Sequence, residues 1–353
     1  MHMADALISP AVGGTMWVAT AAVAVYCAKK VREDNDSAKI PLMGVLGAFI
    51  FAAQMLNFSI PGTGSSGHLG GGLILAILLG PEAAFLTIAS VLTVQAFFFA
   101  DGGLLALGCN IFNLGFFPAF VGYPIFKRIV GDNWSTGRVI TGSILGAEVG
   151  LLLGATGVVA ETALSGISSL PFGTFVLMML PIHAAIGLVE GFVTAAVVLF
   201  VRQAQPEMLS RTAYGQSLAG LKLKTVLIGL AIAAMVSGVA FAWFASTDPD
   251  GLEWSIARVT GSEEFAGETS AAVHEAATSI QEKTAFLPGY GFKQAATTGR
   301  GSESAAQWPA VDAGTSTAGL VGAGITLLLA GIIGFVLNRR RHSRTPPNGG
   351  AAV

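Results

Sequence analysis

The chain has 353 residues, 53% hydrophobic and 11% charged, where a soluble globular chain carries roughly a quarter charged. With a mean hydropathy of +0.68 it reads as a membrane protein. A net charge of -2 with no basic stripe outside the apolar runs excludes nucleic-acid binding, and the only cysteines, Cys27 and Cys109, both inside apolar runs, exclude a disulfide framework and a thiolate metal cluster.

In chain order, the first apolar segment follows Met1 without the positive n-region and small-residue cleavage site of a signal peptide, so the first residues are expected to stay. Apolar runs between polar breaks predict spans near 11–28, 41–58, 70–79, 82–100, 104–126, 138–160, 173–201, 224–245 and 318–338. The fold class is therefore an all-α polytopic membrane protein of about nine transmembrane helices. The third run falls short of the roughly 20 residues a span needs and is split from the fourth by Gly80 and Pro81. It is expected to be tilted or partly re-entrant, and counting it out gives eight spans.

Basic residues set the orientation, because Lys and Arg accumulate in cytoplasmic loops. Lys29, Lys30, Arg32 and Lys39 follow the first span; Lys127, Arg128 and Arg138 the fifth; Arg202, Arg211, Lys222 and Lys224 the seventh; Arg339, Arg340, Arg341 and Arg344 the last. All four clusters share one side only with nine spans. The N-terminus and the loop 60–69 are then outside and the C-terminus is cytoplasmic.

Two parts are expected. Residues 1–203 form a seven-helix core, 204–223 a cytoplasmic linker, 224–338 a helical hairpin, and 339–353 a cytoplasmic tail. The hairpin's connecting segment, 247–316, is rich in Gly, Ala, Ser, Thr and Glu, which predicts an exposed, partly disordered external loop.

The chemistry begins at Met1-His2-Met3. A free α-amine at Met1, the amide nitrogen of His2 and its imidazole Nδ1 can close two fused chelate rings around one ion. Planar nitrogen sites of this kind are characteristic of Ni(II) and Cu(II), and the bulk of His2 should protect Met1 from removal. The plainer alternative is an exposed terminal histidine. On the same expected face, the run Gly62-Thr-Gly-Ser-Ser-Gly-His68-Leu-Gly-Gly-Gly72 has a backbone free enough to fold down into a bundle, with His68 as a fourth nitrogen ligand or, more plainly, a solvated side chain.

Other polar residues carry weaker expectations. Asp101 precedes Gly102-Gly103 and reads as a turn former that could steer cations. Asn57, Gln95, Asn110 and Asn113 read as interhelical hydrogen bonders, some of them near enough to support the ligands of the site. His183 and Glu190, seven apart on one helical face, read as a structural polar contact ahead of a transient metal relay. The tetrapeptide Gly64-Ser65-Ser66-Gly67 matches the short signature of rhomboid-type intramembrane serine proteases, with His183 as a conceivable base, but it is a weak signal in a Gly-rich loop. His274-Glu275 lacks the second histidine of a zinc-protease helix, and a passive channel would show a ring of pore acids. No phosphate-cradling Gly-rich loop ending in Lys-Ser/Thr is present.

Together MHMADALISP, PGTGSSGHLGGGLILAILLGPEAAFL, VQAFFFADGGLLALGCNIFNLGF and HAAIGLVEGFVT resemble the nickel/cobalt substrate-binding component of energy-coupling-factor (ECF) transporters, over nearly all of residues 1–203. The segment DPDGLEWSIARVTG, Asp248 to Gly261, resembles that component's small companion membrane subunit, so the chain looks like a fusion of the two. The resemblance implies a square-planar site of four nitrogens at Met1, His2 and His68, binding Ni2+ or Co2+ as the transported substrate. It also implies a non-catalytic role, with a membrane coupling (T) subunit and cytoplasmic ATPase (A) subunits as partners in an inner membrane, and cobalt uptake for cobalamin biosynthesis as the alternative. Ala4-Asp5-Ala6 departs from the Pro-Asp-Gly turn expected of the family.

Overall fold

A computed structural model describes residues 2–168, 170–262, 272–293 and 309–342. Met1, parts of the 247–316 segment and the tail beyond 342 lie outside the described residues.

The helices follow the apolar runs. They are α1 (Pro10–Asp34), α2 (Lys39–Gln54), α3 (Gly72–Leu79), α4 (Pro81–Val94), α5 (Leu107–Ile111), α6 (Tyr123–Val130), α7 (Thr136–Ser165) and α8 (Phe172–Ala204). After these come α9 (Pro206–Ala213), α10 (Lys224–Val239), α11 (Gly251–Thr260), α12 (Ala272–Thr284) and α13 (Ala313–His342). The π-type turn Gln95–Phe99 extends α4, and two more, Phe112–Phe116 and Pro118–Gly122, join α5 to α6. Pro118 has no N–H to donate, so the helix there shifts to wider turns instead of breaking.

Among the described residues six helices are long and apolar enough to cross a membrane, while α2 and α10 are shorter apolar helices. Exposed side chains such as Val18, Val25, Leu177, Ile232, Leu328 and Ile332 give these helices an apolar outer surface, as lipid-facing helices require. The short third run is α3, eight residues long and buried along its whole length. It starts after Gly71 at φ 78° and ends at Gly80 at φ 86°, before Pro81. A segment that stops short of a full span is tolerated here because protein surrounds it.

Glycines set the helix spacing. Gly142, Gly146 and Gly150 recur every four residues along α7, and a Cβ on Gly146 would lie 2.9 Å from the Gly122 carbonyl oxygen. A Cβ on Gly319 of α13 would lie 2.1 Å from the carbonyl oxygen of Gly238 in α10. Backbones that approach this closely associate through packing without needing a hydrophobic drive.

Two features differ from the sequence expectation. The linker carries the short helix α9, started by Pro206 at its first position. The 247–316 segment carries helices where it is described. It contains α11 and α12, and His274 on α12 is 4% exposed. Composition alone missed these helices because their stabilising contacts come from the core: the Trp254 indole donates to the Thr63 carbonyl at 3.0 Å, and Gln281 donates to the carbonyls of Ala96 and Gly102 at 2.9 and 2.8 Å.

Candidate metal-binding site

The N-terminal segment runs into the bundle and is fixed there by its backbone. Met3 is fully buried; its N–H donates to Asn110 Oδ1 at 2.8 Å, and its carbonyl accepts from Asn110 Nδ2 at 3.1 Å and from the Gly103 N–H at 2.9 Å. Asp5 accepts from the Ala106 N–H at 2.9 Å and begins a 3₁₀ turn, Asp5–Leu7. A turn therefore forms despite the departure at Ala4-Asp5-Ala6. Gly103 is required opposite it, since a Cβ there would sit 1.9 Å from Asp5 Oδ1.

The Gly-rich segment makes a two-stranded antiparallel hairpin, β1 (Phe58–Ile60) with β2 (Ser65–Gly67), before passing into α3. Its inner side is held by α8 and α2: Glu190 accepts from the N–H groups of Gly70 and Gly71 at 2.9 and 3.0 Å, and Gln54 donates to the Gly70 carbonyl at 2.9 Å. Its outer side is held by the chain entering α11. The Ser66 N–H donates to the Pro249 carbonyl and its hydroxyl to the Asp248 carbonyl, both at 2.8 Å.

These two anchorages bring His2 and His68 together, with ring centroids 5.0 Å apart and planes 30° from parallel. Both side chains are nearly enclosed, 7% and 10% exposed. His2 Nδ1 donates to Asp101 Oδ1 at 2.8 Å, and the Tyr290 hydroxyl donates to Asp101 Oδ2. His68 Nδ1 faces the Leu69 carbonyl at 3.2 Å and its Nε2 lies 3.8 Å from Asp250 Oδ2. Met1, the third expected site residue, lies outside the described residues.

Burial, with nearby positive charge including His2, pushes the His68 imidazole down to about 3, so it is neutral with a lone pair to offer. Burial opposes the charge of Asp101, but His2 and the hydrogen bonds from His2 and Tyr290 outweigh it and hold the carboxyl below its usual range. Burial and the same carboxylate push the Tyr290 phenol well above its usual range, so it keeps its proton.

Sequence reasoning missed Asp250 and Tyr290. Asp250 caps α11, accepting from the Leu252 and Glu253 N–H groups at 2.8 and 2.9 Å while its other oxygen faces His68. The run Asp250-Gly-Leu-Glu253 ahead of an apolar stretch is a legible capping signal, but nothing local says what lies opposite it. Asp101 is more than a turn former, since it anchors His2. Asn110 holds the N-terminus and not a neighbouring helix, whereas Asn113 does bond across helices, donating to Glu161 at 2.8 Å. His183 donates Nδ1–H to the Met179 carbonyl at 2.8 Å. Ser65 and Ser66 donate to backbone carbonyls and to no histidine among the described residues, which removes the geometry a serine protease needs.

A cavity of about 800 Å³ opens beside His2, between the N-terminal segment and α11 and α12; Asp5, Asp101, Glu253, His274 and Glu282 also line it. No group of three or more His, Cys, Asp or Glu side chains is placed to hold a metal among the described residues.

A multi-pass helical membrane protein that handles a metal ion is the class to which this arrangement points. The chain belongs to the family described as the cobalt uptake substrate-specific transmembrane region, whose model matches residues 2–208. A PDGLE domain matches residues 224–339, and Pro249-Asp250-Gly251-Leu252-Glu253 spells that motif. A protein of Haloquadratum walsbyi named for metal transport is 35% identical over 209 residues, 59% of this chain and 93% of its own length. One of Archaeoglobus fulgidus named for fused nickel transport is 39% identical over 223 residues, 62% of this chain and 71% of its own. A solved structure described as a truncated transition metal transporter superposes with a TM-score of 0.52 at 31% identity, over 58% of this chain and 99% of that one.

Proposed function

We propose that this chain is the substrate-binding component of an ECF-type importer of Ni2+, with Co2+ the second reading, and that four nitrogens hold the ion: the Met1 amine, the His2 amide and imidazole, and His68. The observation that carries this is the approach of two enclosed imidazoles from residues 66 positions apart to a ring separation of 5.0 Å. Two imidazoles and two main-chain nitrogens need no cluster of three side chains. The fused nickel relative supports nickel, and the family's own description supports cobalt.

The division into a metal-binding core, 1–203, a linker, 204–223, a companion hairpin, 224–338, and a tail, 339–353, is part of the proposal. So is the orientation, with the N-terminus outside and the C-terminus cytoplasmic. ATP hydrolysis falls to separate cytoplasmic chains acting through a membrane coupling subunit, since this sequence has no phosphate-binding loop. The cavity beside His2 is the entry route, its carboxylates attracting the hydrated cation. Before chelation His2 must give up Asp101, because the ion and the carboxylate compete for Nδ1.

The test is to titrate nickel into the full-length protein with a native, an extended and an acetylated N-terminus. Acetylation removes the amine's lone pair and extension moves the new amine out of the five-membered ring. Only the native form is expected to bind tightly, and equal affinity in all three overturns the reading.

A further inference from the structure

Glu190 is a carboxylate in the middle of a long apolar helix, 2% exposed, and it has no salt-bridge partner among the described residues. Such a group is costly in a membrane and calls for a specific reason. Its two oxygens accept from two consecutive amides, Gly70 at 2.9 Å and Gly71 at 3.0 Å. Gly71 has φ 78° and α3 begins at the next residue. Consecutive N–H groups converging at a left-handed residue form an anion-binding concavity, and a helix N-terminus adds its dipole. Here the protein's own side chain fills that concavity.

The fit leaves little slack. A Cβ on Gly70 would lie 3.1 Å from Glu190 Oε2, and one on Gly71 would lie 2.7 Å from Ile50 Cδ1. The Gly70 carbonyl is tied on its other side to Gln54. The backbone is thus fixed two and three residues after His68, by groups from two different helices, and the His68 side chain is only 10% exposed.

We propose that Glu190 is a positioning residue for the metal site, setting the place of the His68 imidazole through the Gly70–Gly71 backbone, with Gln54 as its partner. The proposal rests on the reading of His68 as a ligand. It differs from a purely structural role in one respect: the effect on metal binding must pass through His68.

The experiment is a double-variant cycle on the full chain in detergent, read by nickel affinity and by the visible absorption band of the planar Ni(II) complex. Glu190→Ala and Glu190→Gln are each expected to weaken nickel binding on the order of 10- to 100-fold, the usual effect of losing a group that orients a ligand, with Gln the milder. Both should shift the band, because the His68 nitrogen moves relative to the ion. In a His68→Ala background, the same changes should have no further effect on affinity. If Glu190→Ala fails to fold, Glu190→Gln decides, since it keeps the shape and one accepting oxygen. Unchanged affinity and band in a folded Glu190→Gln, or a loss that simply adds to that of His68→Ala, overturns the proposal. If His68→Ala itself binds nickel as the wild type does, it is the ligand assignment that has failed.

Discussion

The N-terminal segment and the Gly-rich loop each bring one imidazole to the same place, but they are held differently. The N-terminal segment enters the bundle ahead of α1. It is fixed by backbone hydrogen bonds from Asn110 and Gly103, by the Asp5 side chain, and by the carbonyl of Ile8 facing His274 Nε2 at 2.9 Å. The loop is tethered at both ends and is gripped from two sides. On its inner side a single carboxylate and Gln54 hold it, and on its outer side the chain leading into α11 holds it. The 247–316 segment reaches His68 directly through Asp250 and His2 only indirectly, through Tyr290 behind Asp101. Under the proposed chelate, the N-terminal segment would be sensitive to chemistry at the Met1 amine in a way the loop is not.

The largest expected effect breaks that asymmetry at the terminus. Adding one residue before Met1 should weaken nickel binding by more than the roughly 10- to 100-fold typical of a lost outer-shell partner, although every side chain remains. Adding one residue to the turn at Thr63, far from any terminus, should be much milder. Equilibrium titration compares them, and equal losses would erase the distinction.

Next in size is His68→Ala, which leaves three nitrogens and water and should weaken binding by about a hundredfold at the upper end of the same range. Its pH dependence should be unchanged. Burial keeps the His68 imidazole neutral around pH 7, so the protons that compete with the metal as pH falls to mildly acidic values are those of the proposed terminal chelate. Titrations at several pH values check this, and a flattened profile in the variant would assign the competing proton to His68.

Asn110→Ala acts on anchorage alone. It strands the buried Met3 N–H, at a cost of about 1–3 kcal/mol. Thermal stability should fall, and nickel affinity with it, by about tenfold if roughly 1.4 kcal/mol of that is lost only from the metal-ready form. A lower melting temperature with unchanged affinity would show that the segment finds its place without this clamp.

The smallest effects are expected on the companion side. Ser66→Ala removes one hydroxyl bond to the Asp248 carbonyl, about 1 kcal/mol, and should leave equilibrium affinity within about twofold. His274→Ala should likewise retain equilibrium binding, because its Nε2 is used on the Ile8 carbonyl and it lines the cavity beside His2 outside the proposed ligand set. Loss of metal from a folded His274→Ala protein would move the ligand set into the companion helices.

How much of this was legible follows from the range of each interaction. Membrane class, the order of the spans and the short buried α3 are read from apolar runs, since a span is a local property of about 20 consecutive residues. His2 and His68 stood out because a terminal histidine and a Gly-rich loop are also local signals. What the tertiary structure alone decided lies in contacts far apart in sequence. His2 meets Asp101 across 99 positions, Glu190 meets Gly70 across 120, and Ser66 meets Asp248 across 182. The polar stretch after Asp248 looked like an exposed loop because composition counts what a segment can bury by itself. It folds into α11 and α12 because its partners are the backbone carbonyls of the site it covers, and no local pattern in the sequence records them.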